Sequence, residues 1–387
     1  MRVPGHTLSP LHRLLLAAAA CCLVVAWDLY ARPDALPVAQ AAGVHAVAAA
    51  PAQLVARAQG HIPMPPGVAS AHASNLLSMP PGHPWSLLAF WFAGSREAAP
   101  DVQIASAHLE RGNGTWSAAR YALGRHTLAF GTTRLGNPVS WLDQDGRVHL
   151  FVVATGLGGW AAGRIVHLVE RDANALGLAH GFSAQQVLPL SWLWNYSFLV
   201  RSRPLALQDG GMVLPAYFEM GDPGFGVALR FDAQGRMRGM VRMGGDRKAI
   251  QPAFVPLGES HWLALSRDTS SQRRIRVSQT HDGGAHWQTA PSLALANPDA
   301  AIAALRLPDG TVLLAHNTTE EGRHVLGLST SVDGVRWSPP MVVAQGEAGA
   351  EYSYPSLAWV DGHVVLSYTD QRRQIAWQRF AVVPASP

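Results

Sequence analysis

The sequence predicts an all-β chain folded as a six-bladed β-propeller, and three observations carry the prediction. Asp-Gly dipeptides recur between runs rich in Val, Leu, Ile and aromatic residues. A second turn signature, ending in Trp, is repeated further along the chain. Past residue 66 no segment shows a long 3.6-residue periodicity with helix caps.

The Asp-Gly turns are Asp145-Gly146 in SWLDQDGRVHLFVV, Asp209-Gly210 in PLALQDGGMVLPAY, Asp309-Gly310 in ALRLPDGTVLLAH and Asp361-Gly362 in SLAWVDGHVVLSY. Asp and Gly accept the positive φ of a tight hairpin, so each pair joins two antiparallel strands. The second signature is THDGGAHW, with Thr280, Asp282, Gly284 and Trp287, and SVDGVRW, with Ser331, Asp333, Gly334 and Trp337. In both, the Asp can satisfy backbone donors of the turn, the Gly takes the left-handed position and the Trp packs between strands. Gly112–Trp116 is a degenerate third copy without its Asp. Repeated hairpins that cannot bury their faces alone favour radial stacking, and residues 67–387 at about 50 per blade give six blades.

With 48% hydrophobic and 14% charged residues in 387, the chain can bury a large core and is not a disordered polymer. The net charge is +4, but the 30 basic residues are scattered and nearly all Arg, without the runs of a nucleic-acid binder. Arg suits bidentate recognition of a carboxylate, so a small anionic ligand is the expected partner.

Residues 1–30 read as a signal peptide or an uncleaved signal anchor. Arg2, His6, His12 and Arg13 precede the apolar run Leu14–Trp27, which is shorter than the about 20 residues of a spanning helix. Ala39-Gln40-Ala41 offers a cleavage site some way downstream. Export to the periplasm or the medium follows, with membrane attachment as the alternative. Cys21 and Cys22 both lie in the apolar run, so the mature domain holds neither a disulfide nor a thiolate metal site, and Cys21 could carry a lipid. Residues 31–66, rich in Ala, Pro, Val and Gln, read as a linker, with the propeller spanning 67–387. A monomer is expected. No cofactor is expected, because the chain has no HExxH, no phosphate loop and no metal spacing among its 17 His.

The Trp-ending turns resemble the Asp-box of sialidases and related propellers. From His72 onward the chain is similar to bacterial sequences called predicted neuraminidases. The motifs that carry the similarity are HAS (72–74), WFAGSREAAPDVQI (91–104), IQPAF (250–254), LANPDAAI (295–302), GRHVLGLSTSVDG (322–334) and EYSYPSL (351–357). The resemblance implies an exo-acting glycosidase with a Tyr nucleophile, a carboxylate base beside it, an Asp acid/base, and three Arg around the sugar carboxylate. Asp101, five residues after Arg96 behind LLAFWFAGS, matches the acid/base, with a surface turn Asp as the alternative reading. A proton donor there needs a raised pKa, for which burial or Glu97 could serve. Arg267 in LALSRD and Arg323 in EEGRHVLGLS match the second and third arginines, and Arg203, Arg372 and Arg373 are further candidates. Tyr354 matches the nucleophile. Tyr352 competes with it, since residues at i and i+2 share a face of a regular strand.

At two positions the pattern departs. His72 stands where the family places its first Arg, and Gln251 where it places the carboxylate that activates Tyr. His offers no bidentate fork and an amide does not take a phenolic proton. Glu351 or Glu219 could substitute as base. The function expected is removal of a terminal acidic sugar from glycans. The alternatives are a propeller glycosidase or lyase acting on a rhamnose or uronic-acid glycoside, or a non-catalytic glycan-binding propeller.

Overall fold

Where blades stack face to face, the first and second strands are covered on both sides, and their sequences lose the polar alternation of a half-exposed strand. Trp85–Gly94, Val148–Thr155 and Ala249–Pro256 are buried at every position. The computed structural model describes residues 9–31, 36–44, 50–128, 131–156, 158–172, 181–191, 194–222 and 224–383. Over these residues the strands form six antiparallel sheets arranged radially, as expected.

Blade 1 contains Ser70–Ser78, Trp85–Gly94, Gln103–Glu110 and Arg120–Leu123, and blade 2 contains Arg134–Leu142, Val148–Thr155, Gly163–Glu170 and Phe182–Val187. In blade 3 the inner strand is split into Phe198–Val200 and Leu205–Ala206, followed by Met212–Glu219, Gly224–Phe231 and Met237–Arg242. Blade 4 contains Ala249–Pro256, Trp262–Asp268, Arg276–Thr280 and Gln288–Ala290, and blade 5 contains Ala303–Arg306, Val312–Asn317, Val325–Ser331 and Met341–Gln345. Blade 6 takes Tyr352–Val360, His363–Asp370 and Gln374–Val383 from the end of the chain.

The four Asp-Gly turns join the first and second strands of blades 2, 3, 5 and 6, with Gly146, Gly210, Gly310 and Gly362 all at positive φ. The two Trp-ending turns join the third and fourth strands of blades 4 and 5. In the first, Thr280 Oγ1 accepts from Gly284 N at 3.0 Å and Trp287 Nε1 donates to Gly284 O at 3.2 Å. Trp337 Nε1 repeats this on Gly334 O at 3.1 Å. Both boxes are turn staples.

The linker reading of 31–66 is corrected. Gln53–His61 pairs antiparallel with Gln374–Val383 and supplies the outer strand of blade 6, so the two ends of the chain close the ring. A closed ring leaves no blade with an unpaired neighbour, and backbone pairing selects this segment although its composition is plain. Upstream, Ala39 and Ala41 are buried, Ala41 N donates to Glu259 O at 2.8 Å, and Gln40 O accepts from Gln208 N at 2.9 Å. Gly283, at φ 65, has to lack a Cβ here, since one would fall on the Ala39 carbonyl oxygen. The proposed cleavage site therefore sits inside packed structure. The apolar helix, Pro10–Ala31, is longer than the run read from sequence, and its length and composition suffice to cross a membrane.

Candidate active site

One residue near the start of each blade's inner strand adopts positive φ: Ala73, Asn137, Ser197, Gln251, Asp299 and Tyr354. In blades 1, 2, 4 and 6 the strand register slips across this point. A bulge of this kind re-aims a side chain out of the pleat, and the four bulges, with the positive-φ residues Ser197 and Asp299 of the other two blades, lie at one end of the inner strands. Pro138, Pro252 and Pro355 follow three of the six and have no N–H for the ladder to lose.

Tyr354, at φ 53 and 9% exposed, lies in this ring of bulges. Its ring centroid is 4.2 Å from that of His72, and the guanidinium carbons of Arg201 and Arg323 lie 5.1 Å and 5.9 Å from it. Tyr352 is not in the site. The bulge between Ser353 and Ser356 breaks the i, i+2 rule, and Tyr352 packs outward with Tyr368 at 6.3 Å, between blades 5 and 6.

Three arginines approach from loops joining second and third strands, or from the strand ends beside them. Arg267 donates to Asp299 Oδ1 at 2.6 Å and to Gln251 Oε1 at 3.3 Å. Arg323 donates to Asp299 O at 2.8 Å and to Glu351 Oε1 at 3.3 Å. Arg372 donates to Glu351 Oε2 at 2.6 Å and also pairs with Glu97. Burial opposes ionisation of Glu351, but the Arg372 and Ser353 hydrogen bonds prevail and hold its carboxyl down at about 2. Glu351 is therefore corrected from substitute base to arginine clamp, because its lone pairs are already committed.

Gln251 is buried, and its Nε2 donates to the Tyr217 hydroxyl at 3.2 Å. Burial, then the nearby Glu219 and Tyr354, push the Tyr217 phenol far up. Neither ring nitrogen of His72 has a partner among the described residues. Burial first, then the charge of Arg372, push its pKa well below the usual value, so it packs as a neutral ring and does not replace a carboxylate-binding Arg. Glu219, from the end of blade 3's second strand, is raised by burial, with the Arg267 charge opposing.

Asp101 and Arg96 occupy the loop between the second and third strands of blade 1, and both are exposed. The loop leaves blade 1 beside His72, since Ala93 and Phe92 pair with Ala71 and His72. Asp101 accepts from Ser95 N and Ser95 Oγ, both at 2.9 Å. Slight desolvation raises its pKa, but these bonds and the charge of Arg96 lower it overall, so the raised pKa expected of a proton donor is not found. Glu97 does not supply a second carboxylate to Asp101; it pairs with Arg372 and ties the loop to blade 6.

Sequence reasoning passed over Arg201, Tyr217 and Asp299. The signal for Arg201 was an Arg inside the apolar strand SFLVR, and for Asp299 a place in LANPDAAI equivalent to Gln251 in IQPAF. Of the arginines considered only in passing, Arg372 reaches the site, while Arg203 lines cavities toward the opposite end of the axis, the largest of about 490 Å³. Among the described residues no cluster of three or more His, Cys, Asp or Glu could hold a metal.

Six radial blades, Asp-box turns in two of them and a cluster of charged and polar side chains around Tyr354 at one end of the inner strands define a β-propeller. Residues 85–366 match the BNR repeat-like domain, and the chain belongs to this family. It superposes on a Hadza microbial sialidase with a TM-score of 0.64 at 15% identity, covering 82% of this chain and 66% of that one. The NanB sialidase from Streptococcus pneumoniae gives 0.63 at 11% identity, covering 87% and 71%. A protein of unknown function from Dyadobacter fermentans gives 0.65 at 14% identity, covering 85% and 99%. At these identities the likeness shows the fold alone. The chain thus spans about two thirds of the length of the Hadza sialidase and nearly all of the Dyadobacter protein. No curated protein sequence matches it.

Proposed function

We propose that the chain is an exo-acting glycoside hydrolase of the sialidase type that removes a terminal acidic sugar, sialic acid or a relative, from glycans. The observation that carries this reading is the convergence of Arg267, Arg323 and Arg372 on the pocket that holds Tyr354. Three guanidinium groups around one phenol fit a ligand whose carboxylate sits beside the carbon under attack. Arg372 supplies the third cation that the family carries at the position of His72.

In this reading Tyr354 Oη attacks the anomeric carbon as its proton passes to water, the glycosidic bond breaks with its electron pair on the leaving oxygen, and Asp101 protonates that oxygen. Water then releases the sugar, with Asp101 as base. A neutral phenol meets the substrate carboxylate without like-charge repulsion. Substrate has to cover the Asp101 loop and desolvate the carboxyl before it serves as acid. The membrane-length helix Pro10–Ala31 supports export, with the domain periplasmic or extracellular and either released or held at a membrane.

A second reading, a propeller glycosidase or lyase acting on another sugar such as a rhamnose or uronic-acid glycoside, is favoured by Gln251 where the family carries a carboxylate. Turnover of a fluorogenic α-sialoside by the purified protein, beside rhamnose and uronic-acid glycosides, separates the two. Release from the sialoside alone supports the first. Release from another glycoside alone transfers the function to it, and glycan binding without release leaves a binding propeller.

A further inference from the structure

Arg201 carries a cation into the centre of the ring. It is 2% exposed, it leaves blade 3 at the end of the inner strand, and its guanidinium crosses the axis beneath Tyr354. Its NH1 donates to Ser74 O of blade 1 at 3.4 Å and its NH2 to Pro355 O of blade 6 at 2.8 Å, while its Nε is buried without a partner. Among the described residues its partners are carbonyl oxygens, and no carboxylate forms an ion pair with it. Every other arginine at the site does face a carboxylate: Arg267 faces Asp299, and Arg323 and Arg372 share Glu351.

An uncompensated buried cation is expensive to keep, and polar but neutral side chains could tie the same carbonyls together. Burial lowers the Arg201 pKa to about 10, so the group remains charged at neutral pH. The buried groups its charge reaches are the Tyr354 and Tyr217 phenols, with its guanidinium carbon 5.1 Å from the centroid of the Tyr354 ring, and Gln251 leaves Tyr354 without the carboxylate the family places there.

We propose that Arg201 is a positioning residue that acts through Tyr354, its fixed charge stabilising negative charge on the phenolic oxygen where Gln251 stands at the position of the family's carboxylate. This rests on the glycosidase reading above. The phenol approaches neutral, and its proton passes to water as the oxygen lone pair forms the bond to the anomeric carbon, while the glycosidic oxygen departs with its pair and takes a proton from Asp101. In the second half, water attacks, Asp101 takes its proton, and the tyrosyl oxygen leaves as an anion above Arg201. Fixed charge serves both steps without rearrangement, as preorganised charge does. The groups facing the phenol are His72 from blade 1, Arg201 and Tyr217 from blade 3, Arg267 from blade 4, Arg323 from blade 5 and Arg372 from blade 6. Of these, Arg201 is the cation with no carboxylate beside it.

Arg201→Gln keeps donors for the Ser74 and Pro355 carbonyls and removes the charge, whereas Arg201→Lys keeps the charge. The near-ultraviolet tyrosinate titration identifies one component as the difference between the parent protein and Tyr354→Phe. That component should move to higher pH by about one unit or more in Arg201→Gln and stay in place in Arg201→Lys. On whichever glycoside the protein cleaves, kcat/KM should fall on the order of a hundredfold in Arg201→Gln, its acid limb moving in the same direction, with most of the loss restored in Arg201→Lys. An unmoved tyrosinate component in folded Arg201→Gln overturns the proposal, and so does an Arg201→Lys protein in which it moves. If no glycoside is cleaved, the hydrolase reading fails by itself and the titration still decides what Arg201 does. If Arg201→Gln does not fold, the Arg201→Lys titration alone keeps or overturns the proposal.

Discussion

The imidazole of His72 and the phenol of Tyr354 lie 4.2 Å apart, centroid to centroid, across the seam where the last blade meets the first. Both belong to inner strands whose register slips at a bulge, and neither reaches this position in an unbroken pleat. The seam is also where Ser74 Oγ meets Ser367 Oγ at 2.9 Å and Leu76 N donates to Ser356 Oγ at 3.0 Å. Ring closure and site assembly therefore share residues.

Tyr354→Phe should lower turnover of every cleaved substrate by at least about a thousandfold, because the nucleophile is needed whatever leaves. Tyr352→Phe should leave kcat within about twofold, since Tyr352 packs outward against Tyr368. Steady-state kinetics of the two variants decide this, and the reverse result would put the register at EYSYPSL out by two.

Asp101→Asn should remove most turnover of substrates with poor leaving groups and spare activated aryl glycosides. An acid assists departure only where the leaving oxygen needs a proton, and such assistance is worth about a hundredfold to ten-thousandfold. Equal losses on both substrate types would take the acid role away from Asp101.

Arg267→Ala, Arg323→Ala and Arg372→Ala should each weaken binding of carboxylate-bearing sugars by ~2–5 kcal/mol, the cost of truncating one member of a desolvated charge pair. Arg372 is the more exposed of the three, so its loss should fall at the low end. Inhibition constants for a sialic-acid analogue measure this, and an unchanged constant in Arg372→Ala would return the third carboxylate contact to some other group.

A chain beginning at Gly67 should melt at lower temperature and less cooperatively than one beginning at Leu36, because it lacks the outer strand of blade 6. The eight pairs from Gln53↔Val383 to His61↔Ala376 go with it. Any processed N-terminus should also lie upstream of Leu36, since Ala39–Ala41 is packed beneath Glu259 and Gly283. Mass spectrometry of the exported protein tests the second point, and a mature chain beginning at Ala42 would contradict the packing.

Thermal stability should fall as the pH is lowered from about 7 to about 5, above the range in which most carboxylates titrate. Burial, with the His149 charge adding to it, lowers His167 to about 3, and burial lowers His316 to about 4 against its carbonyl contacts. Both folded values lie below the unfolded value near 6.5, so the unfolded chain binds more protons in this window. Their stabilising contribution is complete above about 6.5 and is lost as the pH falls through the folded values, at up to about 1.4 kcal/mol per pH unit for each group. His316→Gln should be less stable at neutral pH yet show a shallower slope in thermal melts. Parallel slopes would mean that this residue is not among those responsible.

The site was half legible in advance. Motif resemblance carried Asp101, Arg267, Arg323 and Tyr354 to the same end of the propeller, because motif spacing follows blade spacing. Choosing between Tyr352 and Tyr354 depended on a bulge, and a bulge is a backbone event that strand periodicity does not announce. Glu351 read as a spare base because its two arginines come from positions 323 and 372, distant in sequence and adjacent only once blades 5 and 6 are stacked.

By itself, the sequence determined the blades. Asp-Gly turns, Trp-ending boxes and apolar runs are local signals, each settled by a few neighbouring residues whose φ preferences and side-chain bonds act within one hairpin. The tertiary structure alone decided which segment closes the ring, since Gln53–His61 is a strand only because Gln374–Val383 presents it an open edge. It also decided what surrounds Tyr354, where His72, Arg201, Arg267, Arg323 and Arg372 arrive from five blades. No local rule sets those contacts; the radial packing of the blades brings groups distant in sequence around one phenol.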